Sequence, residues 1–545
     1  MLKKAMSLIL SFVIVFSMFS ITAVTVNAEE VKKSGQCGEN VYYTLYADGK
    51  LVISGTGDMY DGTVISDNKD AVKSVVIEDG VTSIGAWAFS GFKTLTSVEI
   101  PDSVTSIGDS VFKFCDSLEA INVDENNNAY SSVDGVLFDK NITFLFYYPE
   151  GKSNLSYTIP DGVTSVGDSA FSNCSSLTSI EIPDSVTSIG DFAFELCDAL
   201  ETIIVGENNS VYSSVDGVLF DKNITCLFCY PEGKSNLSYI IPDGVTSIGG
   251  SAFSYCGNLT SIEIPNGLTS IGDSVFSYCS SLMSIKIPDG VTSIGYGVFA
   301  DCRSLKNIEL PNSVTSIGDS AFYKCSSLMS IEIPDGVTSI GFWSFACCSS
   351  LTSVELSNNI TSMGDFAFYN CNNLTSIEIP NGLTNIGDCV FYNCSSLRSI
   401  KIPDGVSSIG HSTFFYCENL TSIEIPNTLI SVKIHAFYGC QNLTDVYYTG
   451  TEEQWNQIDI LDGNSYLTNA NIHFNSSFIL GDVNGDNMVN INDASDIQKY
   501  VAGITMSVEI DKIKGDVNDD GVVNIADATE IQKYLAGISS CLDNQ

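Results

Sequence analysis

Two stretches near the C-terminus place oxygen-bearing side chains at the spacing a hard cation requires. Residues 482–493 read Asp-Val-Asn-Gly-Asp-Asn-Met-Val-Asn-Ile-Asn-Asp, and residues 516–527 read Asp-Val-Asn-Asp-Asp-Gly-Val-Val-Asn-Ile-Ala-Asp. Calcium takes roughly six to eight oxygens, and a twelve-residue loop supplies them from positions 1, 3, 5, 7, 9 and 12. The first loop is expected to use Asp482, Asn484, Asp486, the Met488 carbonyl, Asn490 and Asp493. The second is expected to use Asp516, Asn518, Asp520, the Val522 carbonyl, Asn524 and Asp527, so two calcium ions are expected. Gly521 suits the sharp turn at position 6, and Asn487 is tolerated there because Asn also visits the left-handed region. An acidic loop without metal is the competing reading, but two complete copies 34 residues apart argue against it.

Each loop needs an element to hold it, and a helical pattern follows each one, over residues 494–502 and 528–536. Ile497, Tyr500 and Val501 would share one face, as would Ile531, Tyr534 and Leu535. Gly503 and Gly537 stop the two helices. No helix precedes the first loop, so these are loop–helix halves rather than full EF-hands, and they end in Asp rather than Glu. Residues 482–503 and 516–537 agree at 15 of 22 positions. This duplicated unit, residues 481–538, resembles a type I dockerin, the module that docks secreted proteins onto cohesin domains of a cellulosome scaffold. The resemblance implies cohesin contacts at loop positions 10 and 11 and on the outer helix face. Those are Ile491, Asn492 and Lys499 in one copy and Ile525, Ala526 and Lys533 in the other. The hydroxylated pair of some family members is absent at these positions.

A 23-residue period dominates the middle of the chain. With the proline of the unit as marker, thirteen units run from Glu78 to Tyr448. A Phe stands eleven residues after the marker in all of them, from Phe89 to Phe437. A Gly stands seven after it in twelve, Lys433 being the exception, and a Cys fourteen after it in twelve, from Cys115 to Cys440. The spacing predicts a solenoid in which each coil buries its apolar face against its neighbours. Leu259, Ile262 and Ile264 would point inward from a short parallel strand, while Ser261 and Glu263 point out. Leu268, Ile271 and Phe276 continue the inward set, and Gly272 would permit the turn before Phe276. Two near-identical 36-residue insertions, residues 124–159 and 206–241, read as strands joined by tight turns.

The unit resembles the leucine-rich repeat of the bacterial surface-antigen (BspA-like) type, over about 370 residues. Residues 37–57 resemble the β-rich cap that precedes such arrays, and residues 446–474 the closing cap. The resemblance implies adhesion or protein binding without fixing a ligand. The fold expected is therefore a β-rich solenoid followed by a small α-helical calcium-binding module. Its parts are a signal peptide (1–28), an N-terminal cap (29–77), the repeats (78–448), a C-terminal cap (449–475), a linker (476–480), the dockerin-like module (481–538) and a tail (539–545).

Twelve of the eighteen cysteines form one column of the repeat. Side chains in one column point parallel rather than at each other, so buried free thiols are expected over stacked disulfides. Cys226 and Cys229 would point to opposite faces of a strand, which argues against a zinc site.

With 24 basic and 65 acidic residues the net charge is -41, which disfavours nucleic-acid binding. Lys3 and Lys4, an apolar stretch and Val26-Asn27-Ala28 read as a secretory signal peptide cut after residue 28, so a secreted protein without membrane insertion after cleavage is expected. No G-x-S-x-G, H-E-x-x-H or phosphate loop occurs, and the carboxylates from Glu99 to Glu424 repeat with the structural period as a solvated face. A non-catalytic protein follows. A ligand surface is placed on the aromatic residues before the cysteine column: Tyr255, Tyr278, Tyr323, Tyr369, Tyr392 and Tyr438. Packing against the next coil is the equal alternative. The reading that results is a secreted cellulosome component whose repeats bind an unidentified protein or adhere to a surface. The alternative is a component that binds or acts on plant cell-wall glycan.

Overall fold

The computed structural model describes residues 30–475, 479–485, 488–504, 510–518 and 520–542. The expected signal peptide, residues 476–478 of the linker, Asp486 and the last three residues of the tail lie outside them. The chain divides into two compact units, one ending at Lys140 and one starting at Asn141.

The first unit opens on an antiparallel meander, Val31–Gln36, Val41–Tyr46 and Lys50–Gly55. Val41, Leu45, Leu51 and Ile53 alternate into its core. The Lys50–Gly55 strand then pairs in parallel with Ser74–Ile77, which pairs in parallel with Ser97–Ile100, so the meander seeds the repeat ladder.

The second unit holds the remaining coils. Strands Ser261–Glu263, Ser284–Lys286 and Asn307–Glu309 stack in register, Ile262 on Ile285 on Ile308, with the serine or asparagine and the charged residue facing out. Each coil adds a second, two-residue strand not foreseen in the sequence, such as Ser247–Ile248 on Ser270–Ile271. The phenylalanine column stacks ring on ring from Phe276 to Phe437, with centroids 5.1–5.7 Å apart. All twelve column thiols are buried and unbridged, and each donates to the carbonyl of the aromatic residue 26 positions earlier, as Cys279 does to Phe253 at 3.0 Å. The cysteine thus satisfies a carbonyl that the coil turns inward.

The repeat glycine serves a purpose different from the one expected. Gly272 does not adopt a positive φ; a Cβ there would stand 2.6 Å from the Gly250 amide nitrogen. Close approach of adjacent coils, not a turn conformation, excludes a side chain. The left-handed positions of the coil are instead nine and thirteen residues after the marker, and in most coils both carry non-glycine residues, such as Ser274 and Tyr278.

In the second insertion, strands Tyr212–Val215 and Val218–Asp221 form a hairpin closed by Asp216 and Gly217, both at positive φ. Cys226–Cys229 pairs antiparallel with Val218–Asp221 and parallel with Ser247–Ile248, so the insertion feeds its last strand into the ladder. Asn209 anchors it: buried, it donates to the Pro183 and Val186 carbonyls, both at 2.9 Å, and accepts from the Val211 and Tyr212 amides.

Asp445–Tyr448 and Asn471–Phe474 close the strand column, and a short helix, Glu452–Trp455, begins at a Thr451–Gln454 capping box. One member of the expected solvated carboxylate row departs from it. Glu424 is buried 3.1 Å from the Lys401 ammonium. It lies in register with Tyr447, which is itself covered by the segment between the two acidic loops.

Candidate functional site

The helices that follow the acidic loops are Ile491–Val501 and Ile525–Leu535. Each starts three residues earlier than the pattern suggested, inside the loop. Asn490 and Asn524 are the N-caps, accepting from the Asn492 and Ala526 amides at 2.8 Å. Asp493 and Asp527 complete capping boxes by accepting at 2.8 Å from the Asn490 and Asn524 amides. Their second oxygens reach back across the loops, Asp493 to the Val483 amide at 3.0 Å and Asp527 to the Asn518 amide at 3.1 Å.

These bonds draw the expected oxygens together. In the second loop Asp516 accepts from the Asp520 and Gly521 amides, Asn518 from the Asp520 amide, and Asp520 from the Val522 amide. The Asn524 amide group donates to Asp520 and to the Val522 carbonyl. In the first loop Asn490 likewise donates to the Met488 carbonyl. Asp482, Asp493 and Asp527 are fully buried. Buried carboxylates require a compensating cation, and Asp482 has one from the protein, the buried Lys514 ammonium at 3.5 Å. Among the described residues no three His, Cys, Asp or Glu side chains cluster; the donors are a mixture of carboxylate, amide and carbonyl oxygen. That chemistry fits calcium. The side-chain oxygens of Asn490 and Asn524 are occupied as caps, which suits position 9 acting through water.

The helix face predicted to be buried is divided. Ala494 and Ile497 pack on Ala528 and Ile531, with Val483, Ile510, Val517 and Leu542. Leu480 also packs against this core, so residues assigned to linker and tail contribute to it. Tyr500, Val501, Tyr534 and Leu535 are instead exposed. Ile491 and Ile525 are likewise open, at 57% and 55% exposure, and Asn492 and Ala526 are exposed beside them. Lys499 pairs with Asp496 at 2.7 Å and Lys533 with Glu530 at 2.5 Å. The two copies therefore present matching apolar and charged groups to solvent. Asp511, between the loops, accepts from the Tyr447 hydroxyl, and Lys514 stands 5.2 Å over the Tyr447 ring, so this module is packed against the closing cap.

On the repeats, the aromatic positions form two ladders. Tyr255 and Tyr278 stack at 4.5 Å. Tyr369, Tyr392, Phe415 and Tyr438 stack at 4.7–5.0 Å, and Trp343 joins Tyr323 to this series. Tyr278 and Tyr438 are exposed, while Tyr255, Tyr323, Tyr369 and Tyr392 are half-buried. Phe192, Tyr296 and Phe342, which the sequence reading passed over, are each at least half exposed; their signal was a large apolar residue where most coils carry Asp, Ser or Gly.

The BspA type leucine rich repeat region matches residues 67–145, 143–225, 228–351 and 338–458, and the dockerin type I domain matches residues 480–538. No curated protein matches. Among solved structures, a leucine-rich repeat protein from Eubacterium ventriosum ATCC 27560 is 28% identical with a TM-score of 0.46, over 70% of this chain and 94% of that one. One from Bacteroides ovatus ATCC 8483 is 24% identical with a TM-score of 0.40, over 81% and 99%. A leucine rich cell surface protein from Faecalibacterium prausnitzii A2-165 is 26% identical with a TM-score of 0.34, over 78% and 97%. The two matched regions are a repeat solenoid and a docking module, and type I dockerin domains generally bind calcium. Because the repeat matches cover most of the chain, the protein belongs to the BspA-type leucine-rich repeat family, and it carries a type I dockerin domain behind its repeats.

Proposed function

We propose that this is a secreted, non-catalytic cellulosome component. Its dockerin docks onto a scaffold cohesin when each acidic loop holds one calcium ion, and its repeats present a protein-binding surface. In loop 1 the ion is held by Asp482, Asn484, Met488, Asn490 and Asp493, with Asp486 outside the described residues. In loop 2 it is held by Asp516, Asn518, Asp520, Val522, Asn524 and Asp527. The observation that supports docking most is the repetition of one exposed set, Ile491, Lys499 and Val501, as Ile525, Lys533 and Leu535. A pseudo-two-fold rotation would offer either helix to the same cohesin surface.

Calorimetry of the full chain against a panel of type I cohesins tests this. Binding is expected in millimolar calcium and lost in chelator. Lys499→Glu or Lys533→Glu alone is expected to weaken it about threefold, and the double change by more than the product of the two. Calcium-independent binding, or no binding to any cohesin, would overturn the reading.

A further inference from the structure

The stack of coils is interrupted where the second insertion enters it, and two adjoining cavities open there. One, of about 210 Å³, lies between the coil carrying Phe192 and the strand Cys226–Cys229. The other, of about 290 Å³, continues from it, sharing Phe192, Glu195, Ser251 and Ser254. Its length comes from the sequence. Three successive coils carry small residues at the positions nine and twelve after the marker: Ser251 and Ser254, Ser274 and Ser277, Gly297 and Ala300. Bulky residues resume at Phe192 on one side and Tyr323 on the other, leaving a trough with aromatic walls and a hydroxyl-bearing floor.

Its lining includes the acidic residues Asp191, Glu195 and Glu232, and no Lys, Arg or His. Glu232 is fixed by the Leu196 amide, which donates to it at 2.7 Å. Burial, then the Glu195 and Asp198 charges acting against that amide, push its carboxyl up to about 8. Burial, with Glu195, Tyr278, Glu232 and Asp301 after it, pushes the Tyr255 hydroxyl up to about 12. The protein shows beside the trough what such a combination accommodates. Lys324 stands 5.0 Å over Tyr323 and 3.8 Å from Asp301, a cation between an aromatic face and a carboxylate.

We propose that this trough docks a basic segment of a protein partner, seating an Arg or Lys side chain against Glu195, which lines both cavities, and the aromatic wall. This rests on the reading of the repeats as a protein-binding surface and assigns that surface a place and a partner chemistry.

The test is fluorescence anisotropy of the full, calcium-loaded chain at about 0.15 M salt. The probes are labelled peptides of alternating glycine with arginine, serine or glutamate, plus labelled cellohexaose. The arginine peptide is expected to bind, and Glu195→Gln to weaken it about tenfold. Phe192→Ser, a change at an exposed ring that leaves the core intact, is expected to weaken it about fivefold. Glu309→Gln, the same charge change on the exposed strand column, is expected to stay within about twofold. Equal losses at Glu309 and Glu195 would mean a diffuse field and overturn the trough. So would binding of the serine or glutamate peptide in place of the arginine one, although the protein-binding reading would then stand. Binding of cellohexaose with none of the peptides would overturn both.

Discussion

Asn209 illustrates how a single side chain can decide local structure. Its amide satisfies four backbone groups at the mouth of the second insertion. Asn209→Ala leaves two carbonyls and two amides without those partners, and is expected to cost about 2–4 kcal/mol. Denaturant melts of the full chain would measure it. The ladder cysteines act together. Burial pushes the Cys279 thiol up to about 12, with Glu232 adding to it and the Cys256 amide opposing it. An unfolded thiol titrates near ~8.5, so the unfolded chain releases its proton first as pH rises. The contribution of Cys279 to stability is therefore full below about pH 8.5 and is lost as pH climbs toward about 12. Unfolding free energy should fall steeply from pH 8 to 10.5, and Cys279→Ala should flatten that slope slightly while lowering stability at pH 7. Denatured, unreduced protein should titrate with at least ten free thiols; a count near zero would mean a bridged ladder.

At the level of the coil, two features set the energetics. The corner thirteen residues after the marker is left-handed, and Asn tolerates it best among side-chain-bearing residues. Asn370 and Asn393 already occupy it and bond to each other at 2.9 Å, while Cys347 occupies it one coil earlier and receives only a 3.9 Å contact from Asn370. Cys347→Asn relieves the strained corner and extends the asparagine pair, and is expected to stabilise by about 0.5–1.5 kcal/mol. Thermal melting would register the gain. The second feature is the capped start of each dockerin helix. Asn490→Ala or Asn524→Ala removes an N-cap and should cost about 1 kcal/mol, with the larger effect on calcium affinity seen by titration, because each cap belongs to a loop.

Across the molecule, the dockerin core holds eight buried apolar residues among the described ones, a small core for a module to stand on alone. At calcium a hundredfold above its dissociation constant, each loop would add about 2.7 kcal/mol. Calorimetric scans are expected to show a transition for this module that vanishes in chelator while the repeat transition stays. Its contact with the closing cap should persist as a restraint. Tyr447→Phe removes the hydroxyl that donates to Asp511 and should speed proteolysis between the two loops.

The sequence by itself determined whatever repeats or is contained in one short motif. The 23-residue period carried the coils, because an apolar residue at a fixed phase has one place to go when identical units stack. The dockerin module was equally legible, because each acidic motif lies within twelve consecutive residues. The role of the repeat glycine, the burial of Glu424 and the division of the dockerin helices were not legible, since each depends on what lies across a gap from distant residues. Tyr500 and Val501 have the spacing of core residues, yet of the three only Ile497 enters the core, where the facing helix offers Ala528 and Ile531; Tyr500 instead lies under the Lys512 ammonium. The trough beside Glu232 was hidden for the same reason. Phe192, Glu232 and Tyr255 are far apart in sequence, and only the stacking of coils around the insertion brings them to two adjoining cavities.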